Sequence, residues 1–300
     1  MKNKRARFVL VDALLISGMV LPLLLGIILK ILLTPPSEGI VIRGAGIYFS
    51  IPMPLQDVII TEAQVNSAMV LCVLVCLCLY LTHGIRARVR TRRQTVAEWI
   101  VEALERMVAE NMGAYFSGFG ALVGAILGLS ALSSLLALLG LYPPTADLSV
   151  TSGWAILVFG LITYYKARAG LGVYVESFGK PLMLAPLNVV GEVATPVSMA
   201  FRHYGNVLSG LVISQLVSYG LRRLSSFLFG FLPWGLSQAG WLSVGIPALL
   251  SVYFDLFAAL LQAYIFAMLT QLYISRGFPQ TEYERRQKKK VKKRKIASRA

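Results

Sequence analysis

Charge is scarce in this sequence. Asp, Glu, Lys and Arg make up only 14% of its 300 residues, against 56% hydrophobic ones and a mean hydropathy of +0.68. A soluble domain carries about 25% charged and about 45–50% apolar residues. A soluble enzyme, a nucleic-acid binder and a secreted module are therefore excluded together. Acids are the scarcer sign, 14 against 29 basic residues, for a formal net charge of +15. In a membrane chain such an excess sets topology before it signals nucleic acid. Cysteine is confined to Cys72, Cys76 and Cys78 in one apolar run. An odd cluster on one segment makes no disulfide framework and reads as reduced thiols. Cys72 and Cys76 share a helix face, but His83 lies too far along for a tight metal site, so no metal or cofactor is expected. There is no P-loop pattern, no internal repeat and no Gly/Ser linker. A single integral membrane domain is expected over 1–275, with a basic tail over 276–300.

What is present in quantity is apolar sequence in runs of membrane-spanning length, about 20 residues each. Six are found: about 8–33, 64–83, 115–141, 151–166, a long one ending near 224, and 241–275. The first follows Lys2, Lys4, Arg5 and Arg7, but it is too long for a signal-peptide core and no small-residue cleavage pattern ends it, so an uncleaved anchor is expected. All basic residues other than Lys30, Arg43, Lys166, Arg202, Arg222 and Arg223 fall in 1–7, 84–114, 167–180 and 276–300. The alternate segments 34–63, 142–150 and 225–240 hold Arg43 alone. The positive-inside rule then places both termini in the cytoplasm. Residues 95–112 read as an amphipathic helix: Val96, Trp99, Ile100, Ala103, Leu104, Met107 and Val108 form one stripe, with Glu98, Glu102, Glu105 and Arg106 opposite. Thr95 and Glu98 suggest a capping box. This helix is expected on the inner membrane surface or against a partner helix. Tyr and Trp near span ends read as interfacial anchors. The tail, ending in KKKVKKRK, reads as a solvated segment touching anionic lipid, with no nucleic-acid role. The fold class expected is an all-α polytopic bundle of about six spans, including a long tilted C-terminal helical hairpin.

Ionisable groups inside apolar spans are costly and hence informative. Asp12, Lys30, Arg222 and Arg223 lie near span ends, where snorkelling is available. Glu192, Arg202 and Asp255 have no such relief. A central arginine costs from about 2.5 to over 10 kcal/mol, which a structural ion pair to Asp255 would offset. The stretch Leu182–Leu224 would be about 64 Å long as one helix, and 241–275 about 52 Å, so these either tilt or break, at Pro186 and Pro196 in the first case. Asp255 and Gln262 are seven residues apart, two turns, on one helix face. Glu192 lies about 15 Å to the inner side of Arg202. A carboxylate outside, a permanent cation in the middle and a carboxylate inside suggest two half-paths for a cation, separated by a positive plug.

The segments PLNVVGEVATPVSMAFRHYGNVLSG and LLQAYIFAMLTQLYIS carry a family resemblance. They resemble subunit a of the bacterial F-type ATP synthase, over about residues 64–276, and PTADLSVT, containing Asp147, resembles that family's outer-loop pattern. The first span and SIPMPLQDVIITEAQVNS look like the extended N-terminus of some bacterial members, whereas the basic tail lies outside the core pattern. The resemblance implies an ion-translocating stator subunit beside a rotating c ring in the bacterial plasma membrane. It further implies peripheral-stalk b subunits, and an F1 head reached through the complex; the chain would not be an enzyme on its own. The family's essential arginine falls on Arg202, and its polar partners on Asn206 and Gln262. Many members carry an acid nine residues after that arginine, where this chain has Leu211, and many of those carry a histidine where this chain has Asp255. The outer carboxylate is therefore expected to have moved across to the facing helix as Asp255. Glu192 matches an inner-side acid of some members. His203 either lines the path or packs. Asp147 marks a channel mouth or caps a helix. Gly205, Ser209 and Gly210 keep the helix slim for close approach to the last span or the ring. The rival readings are a secondary transporter, which would show pseudo-repeats, and an intramembrane protease, which would need a second catalytic group at the depth of Asp255.

Overall fold

Apolar segments that cannot reach water must satisfy their backbone internally, and within one segment only a helix does so. The computed structural model describes residues 2–33, 44–54, 57–85, 91–179, 185–229 and 242–276. Its helices are α1 (Lys2–Leu33), α2 (Glu62–Thr82), α3 (Arg92–Met112), α4 (Gly120–Leu135), α5 (Leu148–Gly179), α6 (Ala185–Leu228), α7 (Leu242–Ser251) and α8 (Ala259–Arg276). Short 3-10 turns flank α4, and a π-helical segment, Val252–Ala258, joins α7 to α8. The expected all-α polytopic bundle is what forms. It also carries one antiparallel hairpin, β1 (Ile47–Ile51) with β2 (Val58–Thr61), that the hydropathy pattern does not announce. The basic tail beyond residue 276 lies outside the described residues.

Among the described residues, five helices are long and apolar enough to cross a membrane: Phe8–Leu33, Glu62–Thr82, Tyr115–Leu139, Leu148–Arg168 and Gly245–Ser275. The remaining expected span is α6, whose Arg202, His203, Asn206 and Gln215 dilute its apolar content. Its 44 residues make it about 66 Å long. Of the two alternatives for this segment, tilt or breakage, the helix is unbroken. Pro186 sits in the first turn, where a missing N–H costs nothing, and Pro196 lies inside without splitting the helix.

Two apolar clusters hold the bundle. The larger joins Val108 and Met112 of α3, Phe116, Val123 of α4, Val158 and Ile162 of α5, Met199 of α6, and Phe266, Ala267 and Ile274 of α8. The smaller packs Met69 and Val70 of α2 with Leu136 and Leu141, against Leu23 and Ile27 of α1. In lipid, burial of apolar surface drives helix association weakly, so close packing over small residues counts more. A Cβ on Gly124 of α4 would lie 2.7 Å from Leu104 Cδ1, and one on Gly128 would lie 3.0 Å from Leu74 Cδ1.

The amphipathic α3 begins earlier than its stripe suggests. Its N-cap is Thr91, whose hydroxyl accepts from the Gln94 N–H at 3.3 Å, rather than Thr95. An equivalent cap one turn upstream simply adds a turn. The second half of its stripe (Leu104, Met107, Val108) enters the larger cluster, while Val96 and Trp99 stay exposed. The hairpin end of the bundle is tied by polar contacts. Lys30 of α1 donates to the Gly140 carbonyl at 2.5 Å and lies 3.6 Å from Glu62. Glu62 accepts from the Tyr142 N–H at 3.2 Å, and Asn66 donates to the Tyr142 carbonyl at 2.8 Å. Burial, with Asp147, Tyr204 and Glu62 adding like charge, pushes the Tyr142 phenol up to about 12, so it remains the neutral donor to the Ala146 carbonyl at 2.9 Å.

α1 lies along α2, where a Cβ built on Gly18 would stand 3.9 Å from Cys76 Cβ. Disulfides span Cβ pairs about 3.5–4.5 Å apart. Gly18→Cys, with Cys72 and Cys78 replaced by Ser, should therefore cross-link to Cys76 on mild oxidation. A protease site inserted between α1 and β1 would then yield fragments that separate on a gel only after reduction; fragments separating without reduction would contradict the α1–α2 packing.

Candidate functional site

The residues of interest gather where α6 crosses α8 and the π segment. The contacts define an antiparallel register. His203 of α6 meets Phe266 of α8, ring centroids 5.3 Å apart. One turn on, Asn206 Nδ2 donates to the Ala258 carbonyl at 3.3 Å. Another turn on, Gly210 lies against Phe254, where a Cβ would come within 3.1 Å of the Phe254 Cβ. That close approach is the slimness expected of Gly210, whereas a Cβ on Gly205 would meet nothing within 4 Å, and Ser209 is exposed.

This register places Asp255 level with Ser209–Leu211 and Arg202 nearer Gln262. Asp255 is half-buried and accepts from Ser251 Oγ at 2.5 Å. It does not pair with Arg202. Arg202 is exposed on α6 and makes no hydrogen bond or ion pair among the described residues. The structural-pair reading of the two charges is thus not what the geometry shows. Gln262 is buried on α8. Between Asp255 and Gln262 the helix passes from π winding, which closes i→i+5 bonds, to the regular winding of α8. That winding also leaves the Ala258 carbonyl in reach of Asn206 from across the helix interface.

His203 packs. It is fully buried, with Nε2 3.2 Å from Ser130 Oγ of α4 and its ring 5.9 Å from that of Trp154. Its Nδ1 has no partner, an unusual state for a buried ring nitrogen. Around it stands a set of buried hydroxyls that hydropathy reasoning passed over: Ser130, Ser133 and Ser134 of α4, Thr145, and Thr151 of α5. Ser134 and Thr145 hydroxyls lie 3.1 Å apart. A signal was available, since Ser130, Ser133 and Ser134 are spaced i, i+3, i+4 on one helix face. Buried hydroxyls thus stand at two levels of α4, Ser130 beside His203 and Ser134 beside Thr145.

Glu192 is held by α5. Lys166 Nζ donates to both its carboxylate oxygens at 2.6 Å. Nothing local in the sequence connects two residues 26 positions apart. Asp147 caps α5: its Oδ1 accepts from the Ser149 N–H at 2.9 Å and the Ser149 hydroxyl at 2.6 Å, and its carbonyl accepts from the Thr151 N–H at 3.2 Å.

Comparison with known proteins gives a consistent result. The family model described as ATP synthase A chain matches residues 65–275. The ATP synthase subunit a of Bacillus pumilus is 32% identical over 197 residues, covering 62% of this chain and 79% of that one. That of Listeria welshimeri is 32% identical over 219 residues, covering 69% of this chain and 87% of that one. That of Staphylococcus carnosus is 30% identical over 198 residues, 62% of this chain and 77% of that one.

The Asp147 cap separates structure from charge. Asp147→Ala should lower the thermal stability of the purified chain by about 1 kcal/mol, and Asp147→Asn should restore most of it, since Asn caps as well as Asp. Equal stability of the Ala and Asn variants would remove the capping role.

Proposed function

The chain belongs to the ATP synthase A chain family, and from that premise we propose that Arg202 is the fixed cation of an ion-translocating stator, standing between two half-paths that serve a ring of carboxylate-bearing c subunits. Family membership already makes the chain a multi-pass component of a bacterial membrane ATP synthase and removes the support for the secondary-transporter reading. The observation that carries the finer proposal is the state of Arg202. A guanidinium in the middle of a long helix, exposed and without a partner among the described residues, calls for a counter-charge from another chain. Around it α6, the π segment and α8 expose Phe201, Ile213, Leu216, Phe257, Leu260, Leu261 and Tyr264, an apolar face suited to a packed membrane partner.

The mechanism is electrostatic. A ring carboxylate facing lipid is held neutral, because a bare charge there is expensive. Close to Arg202 the ionised form is stabilised by the opposite charge, so the bound ion is released. Arg202 stays charged at any working pH and blocks direct passage of a cation between the two sides. Asn206 and Gln262 supply amide groups beside that site. On the outer side Asp255 takes the place that an acid at position 211 holds in other members, with Ser251 orienting it. The buried hydroxyls of α4 supply polar lining on the same side, and Asp147 stands at its mouth. On the inner side Glu192, neutralised by Lys166, lines the exit. The transmembrane potential contributes about 2.3 kcal/mol per charge per 100 mV, and rotation transmits it to a catalytic head that this chain does not contain. The partners of this reading are the c ring, peripheral-stalk b subunits and the F1 head through the complex. Both termini would be cytoplasmic, 1–275 would form one membrane domain, and the tail over 276–300 would touch anionic lipid.

In inverted vesicles, Arg202→Ala should abolish ATP-driven ion pumping while the complex still co-purifies with its ring; normal pumping would refute the proposal. Asp255→Asn should slow pumping by on the order of tenfold, about 1.4 kcal/mol in the barrier. Adding Leu211→Asp to that variant should restore much of the rate, because the register places both positions at one depth. Full pumping by Asp255→Asn alone would mean that the outer carboxylate lies elsewhere.

A further inference from the structure

At the end of the bundle where α3 begins, α1, α2 and α3 enclose a cavity of about 270 Å³ lined by Phe8, His83, Gly84, Thr91, Arg92 and Arg93. Its depth is set by the spans. The apolar stretches of α1 and α2 end at Phe8 and Thr82, so the cavity opens where hydrocarbon gives way to headgroups.

One wall is built by a fixed ion cluster. Arg93 donates to both oxygens of Asp12, at 2.9 and 2.6 Å, and its guanidinium lies 4.3 Å from the Tyr80 ring centroid and 5.8 Å from that of Phe8. His83 Nδ1 is 3.2 Å from the same carboxylate, and the His83 ring stacks on Phe8 at 4.5 Å. Gly84 turns the chain with φ +80°, and the Phe8 ring fills the space that a Cβ there would need. Asp12 is therefore fully engaged. Glu98, one turn into α3, accepts from the Gln94 amide at 2.8 Å. Arg92 is exposed and makes no hydrogen bond or ion pair among the described residues. The surrounding sequence is strongly basic, with five arginines between 84 and 93.

We propose that this cavity binds a phosphate-bearing anion, the headgroup of an anionic phospholipid, through the Arg92 guanidinium. The planar fork of arginine matches two phosphate oxygens, and a basic cluster at the cytoplasmic surface attracts anionic lipid. Arg93, kept in place by Asp12 and Tyr80, adds positive potential behind the phosphate. The acyl chains lie along α1, where Val9 and Leu10 are each 62% exposed. This site is separate from the basic tail and does not depend on the rotary reading.

The test uses the full-length chain in its complex, stripped of lipid in neutral detergent. Phosphatidylglycerol, phosphatidylcholine and inorganic phosphate are titrated separately against wild type and Arg92→Gln. The thermal midpoint and the lipid retained in native mass spectrometry are followed. Because Arg92 is exposed and unbonded, the variant should fold normally. Phosphatidylglycerol should stabilise the wild type and bind Arg92→Gln roughly tenfold more weakly, about 1.4 kcal/mol, with no Arg92-dependent effect of the other two. An Arg92-dependent shift with inorganic phosphate alone would keep the phosphate site and overturn the lipid as its source. Equal phosphatidylglycerol affinity in both proteins would overturn the site, and a chain ending at Arg276 would then show whether the tail carries the binding.

Discussion

An arginine on the exposed surface of α6, without a hydrogen bond or ion pair among the described residues, is the constraint that organises this protein. Inside a bilayer, polar groups find partners within the fold or in a water-lined space, and a lone cation is the most expensive exception. Most other intramembrane polar groups here obey the rule. Glu192 has Lys166, Asp255 has Ser251, Asn206 has the Ala258 carbonyl, and His203 has Ser130. Arg202 alone among the three central charges is left open, and the apolar face around it is open as well.

The same contacts explain how α6 can be both long and well placed. It is anchored near its start by Lys166 from α5, at its centre by His203 between α4 and α8, and beyond that by Asn206 and Gly210 against the π segment. These contacts fall on the side of α6 that flanks Arg202, within about 100° of it around the helix. The π segment contributes twice. The Ala258 carbonyl that Asn206 reaches belongs to it, and Asp255 lies within it. Such irregular turns are common at functional sites because they re-aim side chains that a regular helix could not.

The N-terminal elements are attached to the core by charge as much as by packing. Lys30 with Glu62 at one end of α1 and Asp12 with Arg93 at the other fix α1 against α2 and α3. Both pairs lie near span ends, where water lowers the cost of burying charge. Between them the contact is made by small residues, Gly18 against Cys76 and Gly26 against Met69, as expected where lipid competes equally for apolar surface.

Fold class and five of the six expected apolar spans were legible in the residues, because hydrocarbon imposes one rule on them, helices of a minimum length. The segments holding Arg202, Asn206 and Gln262 carried the family resemblance, since those residues lie in contiguous motifs. The β1–β2 hairpin was not, because two short strands leave no strong period in a sequence dominated by spans. The start of α3 was set by Thr91, although Thr95 offered the same chemistry. The Glu192–Lys166 pair, the burial of His203 and the hydroxyl contacts of α4 were decided by which helices came to lie side by side. Sequence spacing describes one helix at a time; a charge becomes paired, buried or open only through its neighbours on other helices, and those are set by packing.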